Sequence, residues 1–168
     1  MNKFYKTKLE NIFRGKEKLN RVIFASTGGF IAIACIAFLA YYTNQLLIIG
    51  SFGASCVLLF GYPESPFSHP KNIIIGHLIS TFIGLSFLHF IGPQWWSMAL
   101  ALAAALGIMI ASNTVHPPAG SNPLIVFLAN ADWSFLVFPS TVGSLALVAI
   151  GFLYINLFKN EFYPNIDK

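Results

Sequence analysis

The sequence predicts an all-α membrane protein built from six hydrophobic segments, and three observations carry this prediction. Only 10% of the 168 residues are charged, whereas a soluble domain carries roughly 25%. The mean hydropathy is +0.69. Apolar runs also recur at the length of about 20 residues that a helix needs to cross the hydrocarbon core of a bilayer. We expect one membrane domain that contacts the lipid bilayer.

Four of the six segments are uninterrupted and are predicted to span the membrane completely. The other two are shorter, at 17 residues each, and are interrupted by glycine, serine, proline or asparagine. The full spans are residues 22–42, 72–92, 95–113 and 134–158, and the two broken segments are residues 46–62 and 114–130. Whether the broken segments cross the bilayer or re-enter it from one side stays open at this point.

Positive charge is concentrated before the first span. Seven of the ten Lys and Arg residues lie in residues 1–21, which places this basic arm on the cytoplasmic side of the cell (inner) membrane. No soluble domain accompanies the arm, so we expect no nucleic-acid partner. The arm is followed by a transmembrane domain at 22–158 and a tail at 159–168. Alternatively, the arm lies on the membrane surface as a helix, using Phe4, Tyr5, Leu9, Ile12 and Phe13.

The transmembrane domain is predicted to be an internal tandem repeat of three segments, with halves at about 22–88 and 89–158. If the broken segments cross the bilayer, the halves are inverted and Lys71 falls on the cytoplasmic side. Inverted repeats with broken helices at the midplane are a known plan of transporters. A shift of 67 positions aligns three glycine pairs without a gap: Gly53 with Gly120, Gly76 with Gly143, and Gly84 with Gly151.

The two broken segments have the features of an anion site. The prolines of the second segment cannot continue a regular helix, so His116 and Asn122 are predicted to lie outside one. Asn122 would then cap a short helix that starts at Pro123, and the repeat predicts an equivalent cap at Ser55. Because a helix N-terminus carries unpaired N–H groups and partial positive charge, both helix starts are predicted to attract an anion.

The positions of the acidic residues favour an anion or a neutral solute over a cation. All six Asp and Glu residues lie in the tails or in loops, whereas cation transporters usually place a carboxylate in the membrane interior. His116 lies in the second broken segment, beside the proline break, where it either contacts the solute or bonds to the unwound backbone, and both interpretations stay open. His77 lies within a span and is interpreted as a packing residue rather than a proton relay.

Metal sites and enzyme active sites are not supported by the sequence. No histidine pair has the spacing of a metal site, and no thiol or carboxylate joins one, so we expect no metal and no cofactor. Nucleophile-elbow, P-loop, dinucleotide and His-Glu-x-x-His patterns are missing. We therefore expect that the protein is not an enzyme.

Small residues at four-residue spacing predict helix faces that pack closely against neighbouring helices. One such face lies in the second full span and another in the third. A bundle of this size also buries few residues away from lipid, so we expect a homo-oligomer. The two faces consist of Gly76, Ser80 and Gly84, and of Ala99, Ala103, Gly107 and Ala111.

At three motifs the chain resembles the HPP family of integral membrane proteins. They are His-Pro-Pro-Ala-Gly at 116–120, Gly-Ser-Phe-Gly-Ala-Ser at 50–55, and Ser65-Pro66 followed by His69-Pro70-Lys71-Asn72. The likeness extends from about Arg21 to Phe158. The resemblance implies four membrane helices, which agrees with six segments only if the broken ones are counted as loops. It also implies a transport role, with nitrite as the solute of some relatives.

The leading hypothesis is a membrane transporter or channel for a small anion, with nitrite as the candidate substrate. The alternative is a structural or accessory membrane protein without transport activity. The expected partners are the lipid bilayer, a small inorganic anion and further copies of the chain. The predicted substrate-binding residues offer hydroxyl, amide, imidazole or backbone N–H groups at the broken segments; they are Ser51, Gly53, Ser55, His116, Gly120, Ser121 and Asn122.

Overall fold

The computed structural model describes residues 3–159 and 162–164, with side chains described from Gly15 onward. Within this part of the chain the structure is helical and contains no strand, so the predicted all-α class is confirmed. The arm residues named above for a surface helix lie outside the described side chains. The α-helices are α1 (Lys3–Thr43), α2 (Ser51–Gly61), α3 (Pro70–Phe90), α4 (Trp95–Ala111), α5 (Asn122–Leu128) and α6 (Val142–Phe158).

Prolines and asparagines set several helix boundaries. Short 3-10 helices at Pro66–Ser68 and Pro117–Ser121 precede α3 and α5. The segment Leu136–Thr141 leads into α6 through a kink at Phe138, whose backbone is extended with φ of −121° and ψ of 118°. Proline is tolerated at the starts of the 3-10 helices, α3 and α5 because the first N–H groups of a helix have no partner inside it. Left-handed asparagines follow the ends of α1, α4 and α5, where this backbone conformation closes a helix; they are Asn44, Asn113 and Asn130, with φ of 53°, 52° and 45°.

Three helical stretches are long and apolar enough to cross a membrane: Gly15–Thr43, Pro70–Phe90 and Leu136–Phe158. They correspond to the first, second and fourth predicted full spans. The third, α4, is a shorter apolar helix of 17 residues. Its C-terminal boundary comes earlier than predicted because the chain leaves the helix at Ser112, whose φ is −89° and ψ is 0°.

The first and last residues of the membrane domain lie at the same end of the helix bundle. Arg21 donates from Nη2 to the Gly61 carbonyl oxygen at 3.4 Å, and Lys159 Nζ lies 3.9 Å from Glu64 Oε2. The Tyr163 hydroxyl donates to the carbonyl oxygen of Ser68 at 2.6 Å. The start of the α1 span, the end of α2, the start of α3 and the end of α6 therefore lie together, at what we call the terminal end.

The opposite end of the bundle is marked by Trp133. Its ring stacks on that of His89 with centroids 5.6 Å apart, and His89 Nε2 lies 3.0 Å from the carbonyl oxygen of Ala131. The end of α3, the start of α4 and the turn after α5 therefore meet there, at what we call the Trp133 end.

The short helices α2 and α5 begin inside the bundle and run in opposite directions. From Ser51, α2 runs to the terminal end; from Asn122, which contacts His77 and Thr81 in the middle of α3, α5 runs to the Trp133 end. The connection before α5 contacts the segment before α3, where His116 Nδ1 lies 2.7 Å from the Phe67 carbonyl oxygen.

Close helix packing uses one of the two predicted small-residue faces. On α3, a Cβ added to Gly84 would lie 2.9 Å from the Pro123 Cα, so α5 packs directly on this glycine. On α4, however, the buried side chains are Ser97, Ala101, Ala105 and Met109. The predicted α4 face of Ala99, Ala103, Gly107 and Ala111 is exposed in the single chain, since it lies on the opposite side of the helix.

Candidate functional site

A set of polar side chains fills the centre of the bundle, where α2 and α5 begin beside α3. We call it the polar cluster. Each member is completely buried, with 0% of its surface exposed, although most of the surrounding core is aliphatic or aromatic. The members are Ser55, His77, Thr81, His116, Asn122 and Ser140.

Local sequence explains how each side chain reaches the centre. Ser55 lies in the second turn of α2, and His77 and Thr81 share one face of α3 at four-residue spacing. His116 is extended, with φ of −129° and ψ of 99°, because the following proline disfavours helical backbone. The chain then turns into the 3-10 helix and brings Asn122, the first residue of α5, beside α3.

The Ser55 hydroxyl bridges two imidazoles. Its oxygen lies 2.7 Å from His116 Nε2 and 3.1 Å from His77 Nε2. His116 Nδ1 lies 2.7 Å from the Phe67 carbonyl oxygen, which can only accept, so His116 carries its hydrogen on Nδ1. In the neutral imidazole Nε2 is then an acceptor, and the Ser55 hydroxyl donates to it.

The other imidazole is oriented by Asn122. The Asn122 amide nitrogen donates to His77 Nδ1 at 2.9 Å and to Thr81 Oγ1 at 2.9 Å. Because Nδ1 accepts, the hydrogen of neutral His77 lies on Nε2 and is donated to Ser55. Thr81 in turn contacts Ser140 at 2.8 Å, and Ser140 donates to the His77 carbonyl oxygen at 3.2 Å. A single consistent pattern of donors therefore connects the whole cluster with both histidines neutral.

Two buried side-chain oxygens, one in the polar cluster and one in the first turn of α2, have no hydrogen-bond partner within the described chain. They are the Ser51 hydroxyl oxygen and Asn122 Oδ1, and these residues are 3% and 0% exposed. Buried polar atoms are nearly always bonded. The two open atoms therefore leave the centre able to form further hydrogen bonds with a small polar solute.

The structure brings three of the seven predicted substrate-binding residues into the polar cluster: Ser55, His116 and Asn122. Ser51 is buried one turn earlier on α2, where its carbonyl oxygen accepts from the Ser55 hydroxyl. Ser121 is half-buried, and its hydroxyl donates to the Pro118 carbonyl oxygen at 2.8 Å. Gly53 is exposed and Gly120 half-buried, and a Cβ at either would have no atom within 4 Å. The expected close approach of a solute to these two glycines is therefore not a feature of the cluster.

The predicted helix caps and free N–H groups are wrong. Since α2 begins at Ser51, Ser55 lies inside the helix, and Asn122 has helical backbone with its side chain on α3 rather than on a cap. The N–H groups of Phe52 and Gly53 donate to the carbonyls of Ile49 and Gly50. The Asn122 N–H donates to the Ala119 carbonyl. These i→i+3 bonds satisfy the N–H groups of Phe52, Gly53 and Asn122, so these three amides are not free to bind an anion.

His77, interpreted from the sequence as a packing residue, is the centre of the cluster. Its imidazole contacts both Ser55 and Asn122, which are 67 positions apart. Thr81 and Ser140 were not predicted as site residues, although the spacing of His77 and Thr81 on one helix face was a usable signal. Among the described residues no three His, Cys, Asp or Glu side chains come together as metal ligands, and the buried polar set contains no charged side chain.

Comparison with known proteins agrees with this architecture. Residues 14–164 match the model of the HPP transmembrane region. The chain belongs to the HPP family. The match confirms the resemblance seen at the three sequence motifs. The family match and the apolar helices together identify the chain as an integral membrane protein.

Two transmembrane proteins of Dictyostelium discoideum are similar to this HPP chain. One is 31% identical over 147 residues, covering 80% of this chain and 47% of the relative. The other is 31% identical over 158 residues, covering 88% and 55%. The chain thus spans about half the length of these relatives. No solved structure matches it.

Proposed function

We propose that this HPP chain is a transporter or channel for a small inorganic anion, with nitrite as the candidate substrate. The observation that carries the proposal is the polar cluster. It lies within an apolar bundle, it contains no carboxylate, and one of its buried atoms, Asn122 Oδ1, has no partner; a second such atom, Ser51 Oγ, lies one turn before Ser55 on α2. Burying so many polar groups in a membrane protein is costly, and such groups usually mark a solute pathway.

The absence of acidic groups from the cluster is the basis for choosing an anion. Hydroxyl, amide and imidazole groups can all donate hydrogen bonds to a negatively charged oxygen. A desolvated cation would instead need carboxylates or a ring of carbonyl oxygens. The structure is closed around the cluster, so transport requires the helices to open toward each aqueous phase in turn.

We also propose that the membrane domain is an inverted repeat. Glycine contacts at the start of each repeat's last helix support it. A Cβ on Gly76 would lie 3.2 Å from the Thr114 carbonyl oxygen, and a Cβ on Gly143 would lie 2.7 Å from the Leu47 carbonyl oxygen. The two contacts are related by the offset of 67, because Gly143 lies 67 positions after Gly76 and Leu47 lies 67 positions before Thr114.

Two further glycine contacts, about two helical turns later on α3 and α6, show the same offset of 67. A Cβ on Gly84 would lie 3.4 Å from the Val126 Cβ, and a Cβ on Gly151 would lie 2.9 Å from the Leu59 Cγ. These partners are again related by the offset of 67. With α2 and α5 running in opposite directions, this agreement supports two inverted halves and six crossings of the membrane. The seven Lys and Arg residues before the first span support a cytoplasmic N-terminus in the inner membrane.

The proposed function is tested by anion uptake into proteoliposomes. We expect nitrite, nitrate or formate to enter faster than into protein-free liposomes. Asn122→Ala and His116→Ala should each lower the rate on the order of tenfold, the effect of losing one hydrogen bond of about 1.4 kcal/mol, while the purified variants stay folded. Rates equal to those of empty liposomes for all three anions would contradict the proposal.

One observation favours the alternative of a structural or accessory protein. The cluster side chains bond mainly to one another and have no exposed surface, as expected of polar groups that hold helices together. Purification from the native membrane distinguishes the transport hypothesis from the accessory-protein hypothesis. A stoichiometric partner protein, combined with a lack of anion uptake by the isolated chain, would favour the accessory role.

We propose that the protein is not an enzyme and that it forms a homo-oligomer. The exposed α4 face of Ala99, Ala103, Gly107 and Ala111 supports self-association, because small residues at this spacing let two helices approach closely in lipid. Chemical cross-linking in native membranes tests this: we expect a discrete cross-linked species, whereas only single chains would contradict it.

A further inference from the structure

An anion at the centre of the bundle needs a positive charge beside it, because an unpaired charge is strongly disfavoured where water is excluded. The buried polar residues of the described chain include no Lys and no Arg. The groups in the polar cluster that can become cationic are the imidazoles of His77 and His116. The question is whether the hydrogen-bond geometry leaves room for an added proton.

The Ser55 bridge can accommodate a proton on His116 without moving any heavy atom. In the neutral pattern the Ser55 hydroxyl donates to His116 Nε2 at 2.7 Å. The Ser51 carbonyl oxygen lies 3.1 Å from the same hydroxyl. If Nε2 takes up a proton, the Ser55 hydrogen rotates to Ser51, and the Ser55 oxygen accepts from both imidazoles. One hydroxyl rotation therefore keeps every donor satisfied.

A proton on His77 Nδ1 can likewise be accommodated, because Asn122 can supply Oδ1 as its hydrogen-bond acceptor. The amide nitrogen now donates to His77 Nδ1, and Asn122 Oδ1 is buried without a partner. A protonated His77 donates from both ring nitrogens. A half-turn of the Asn122 amide would place Oδ1 against Nδ1 as the acceptor. The ring centroids of His77 and His116 are 5.2 Å apart, which places both imidazoles next to any charge bound between them.

We propose that one proton binds to the Ser55-bridged imidazole pair together with each anion and crosses the membrane with it, so that transport is proton-coupled and electroneutral. This inference rests on the proposed anion transport and adds its coupling ion. The step makes one N–H bond on one side of the membrane and breaks it on the other. One positive and one negative charge move together.

Other ionisable groups near the pair do not replace it. On α2, Cys56 belongs to the apolar core. On α6, Tyr154 donates to the Phe24 carbonyl oxygen, away from the cluster. Helices α4 and α5 contribute no ionisable side chain. The remaining groups on and next to α3 lie toward its ends: His69, Lys71 and His89, and Tyr163, whose hydroxyl donates to the Ser68 carbonyl oxygen before α3.

The test measures nitrite or nitrate uptake into proteoliposomes that contain a pH-sensitive dye, with the membrane potential set by potassium and valinomycin. We expect an acidic outer solution to drive uptake, one proton to enter per anion above the rate of empty liposomes, and the potential to have no effect. A uniporter of the anion alone would change its accumulation roughly fiftyfold for a potential of about 100 mV.

Variants locate the proton. Ser55→Ala and His116→Gln should lose proton entry and acid stimulation, whereas the matched controls Ser86→Ala and His89→Gln, outside the cluster, should keep both. Uptake that follows the potential without proton entry, or one-to-one coupling retained by both cluster variants, would overturn the inference and leave anion transport intact. Uptake no faster than in empty liposomes would instead overturn the proposed function and the inference with it.

Discussion

At the scale of single residues, the Ser55 hydroxyl determines how both histidines are held. It is the partner of Nε2 on His77 and on His116, at 3.1 and 2.7 Å. The other ring nitrogens are fixed by Asn122 and by the Phe67 carbonyl oxygen. Because the tautomers follow from these fixed partners, the cluster has one donor pattern in the neutral state.

Removing this hydroxyl should lower stability. In Ser55→Ala, two buried ring nitrogens lose their partner, and each unsatisfied group costs about 1–3 kcal/mol. We expect a clear fall in the thermal unfolding midpoint of the detergent-solubilised protein. Ser86→Ala is the matched control, since Ser86 donates only to the Phe82 carbonyl of its own helix. Equal unfolding midpoints for the two variants would show that the Ser55 bridge does not contribute to the stability of the protein.

At the scale of helices, α3 and α5 pack through Gly84. A Cβ there would lie 2.9 Å from the Pro123 Cα, which belongs to the backbone and cannot rotate away. We therefore expect Gly84→Ala to destabilise the protein by about 1–3 kcal/mol through overpacking. Gly53→Ala, where a Cβ would meet no atom within 4 Å, should be neutral or slightly stabilising in the helix. Denaturation midpoints of both variants measure this, and a larger loss for Gly53→Ala would contradict the packing described.

The sequence was informative about helices where proline was present and less so elsewhere. The break at 116–123 and a helix starting within one residue of Asn122 could be predicted because proline restricts its own φ and its predecessor. The start of α2 could not, because residues 50–55 contain no proline and Gly50 adopts helical φ and ψ. The contact of Thr81 with Ser140 joins residues far apart in sequence, so it depends on tertiary packing that local patterns do not specify.

At the scale of the whole molecule, helices α2 and α5 bring Ser55 and Asn122, which are 67 positions apart in the sequence, to one imidazole. The terminal end carries Arg21 and Lys159, and α3 begins there next to Lys71. By the positive-inside rule this end should face the cytoplasm. The composition predicted a membrane protein correctly, whereas the orientation is a proposal to be measured.

The orientation can be measured by labelling introduced cysteines in a Cys35→Ser background. In intact spheroplasts, a membrane-impermeant maleimide should label Gln94→Cys, which lies in the connection at the Trp133 end. It should label Lys71→Cys only after the membrane is permeabilised. Lys71 and Gln94 are both exposed in the structure, so labelling at either position depends on which side of the membrane it faces. Labelling of Lys71→Cys in intact spheroplasts would contradict the six-crossing arrangement with a cytoplasmic N-terminus.

The most direct measurement of the central claim, that an anion crosses at the polar cluster, is nitrite uptake by Asn122→Asp. This substitution keeps the size of the side chain and adds a carboxylate where the described interior has none, so it should repel the anion and compete for positive charge on His77. We predict uptake indistinguishable from that of empty liposomes, with the protein still folded by thermal unfolding. Uptake at the wild-type rate would show that the anion does not pass this site.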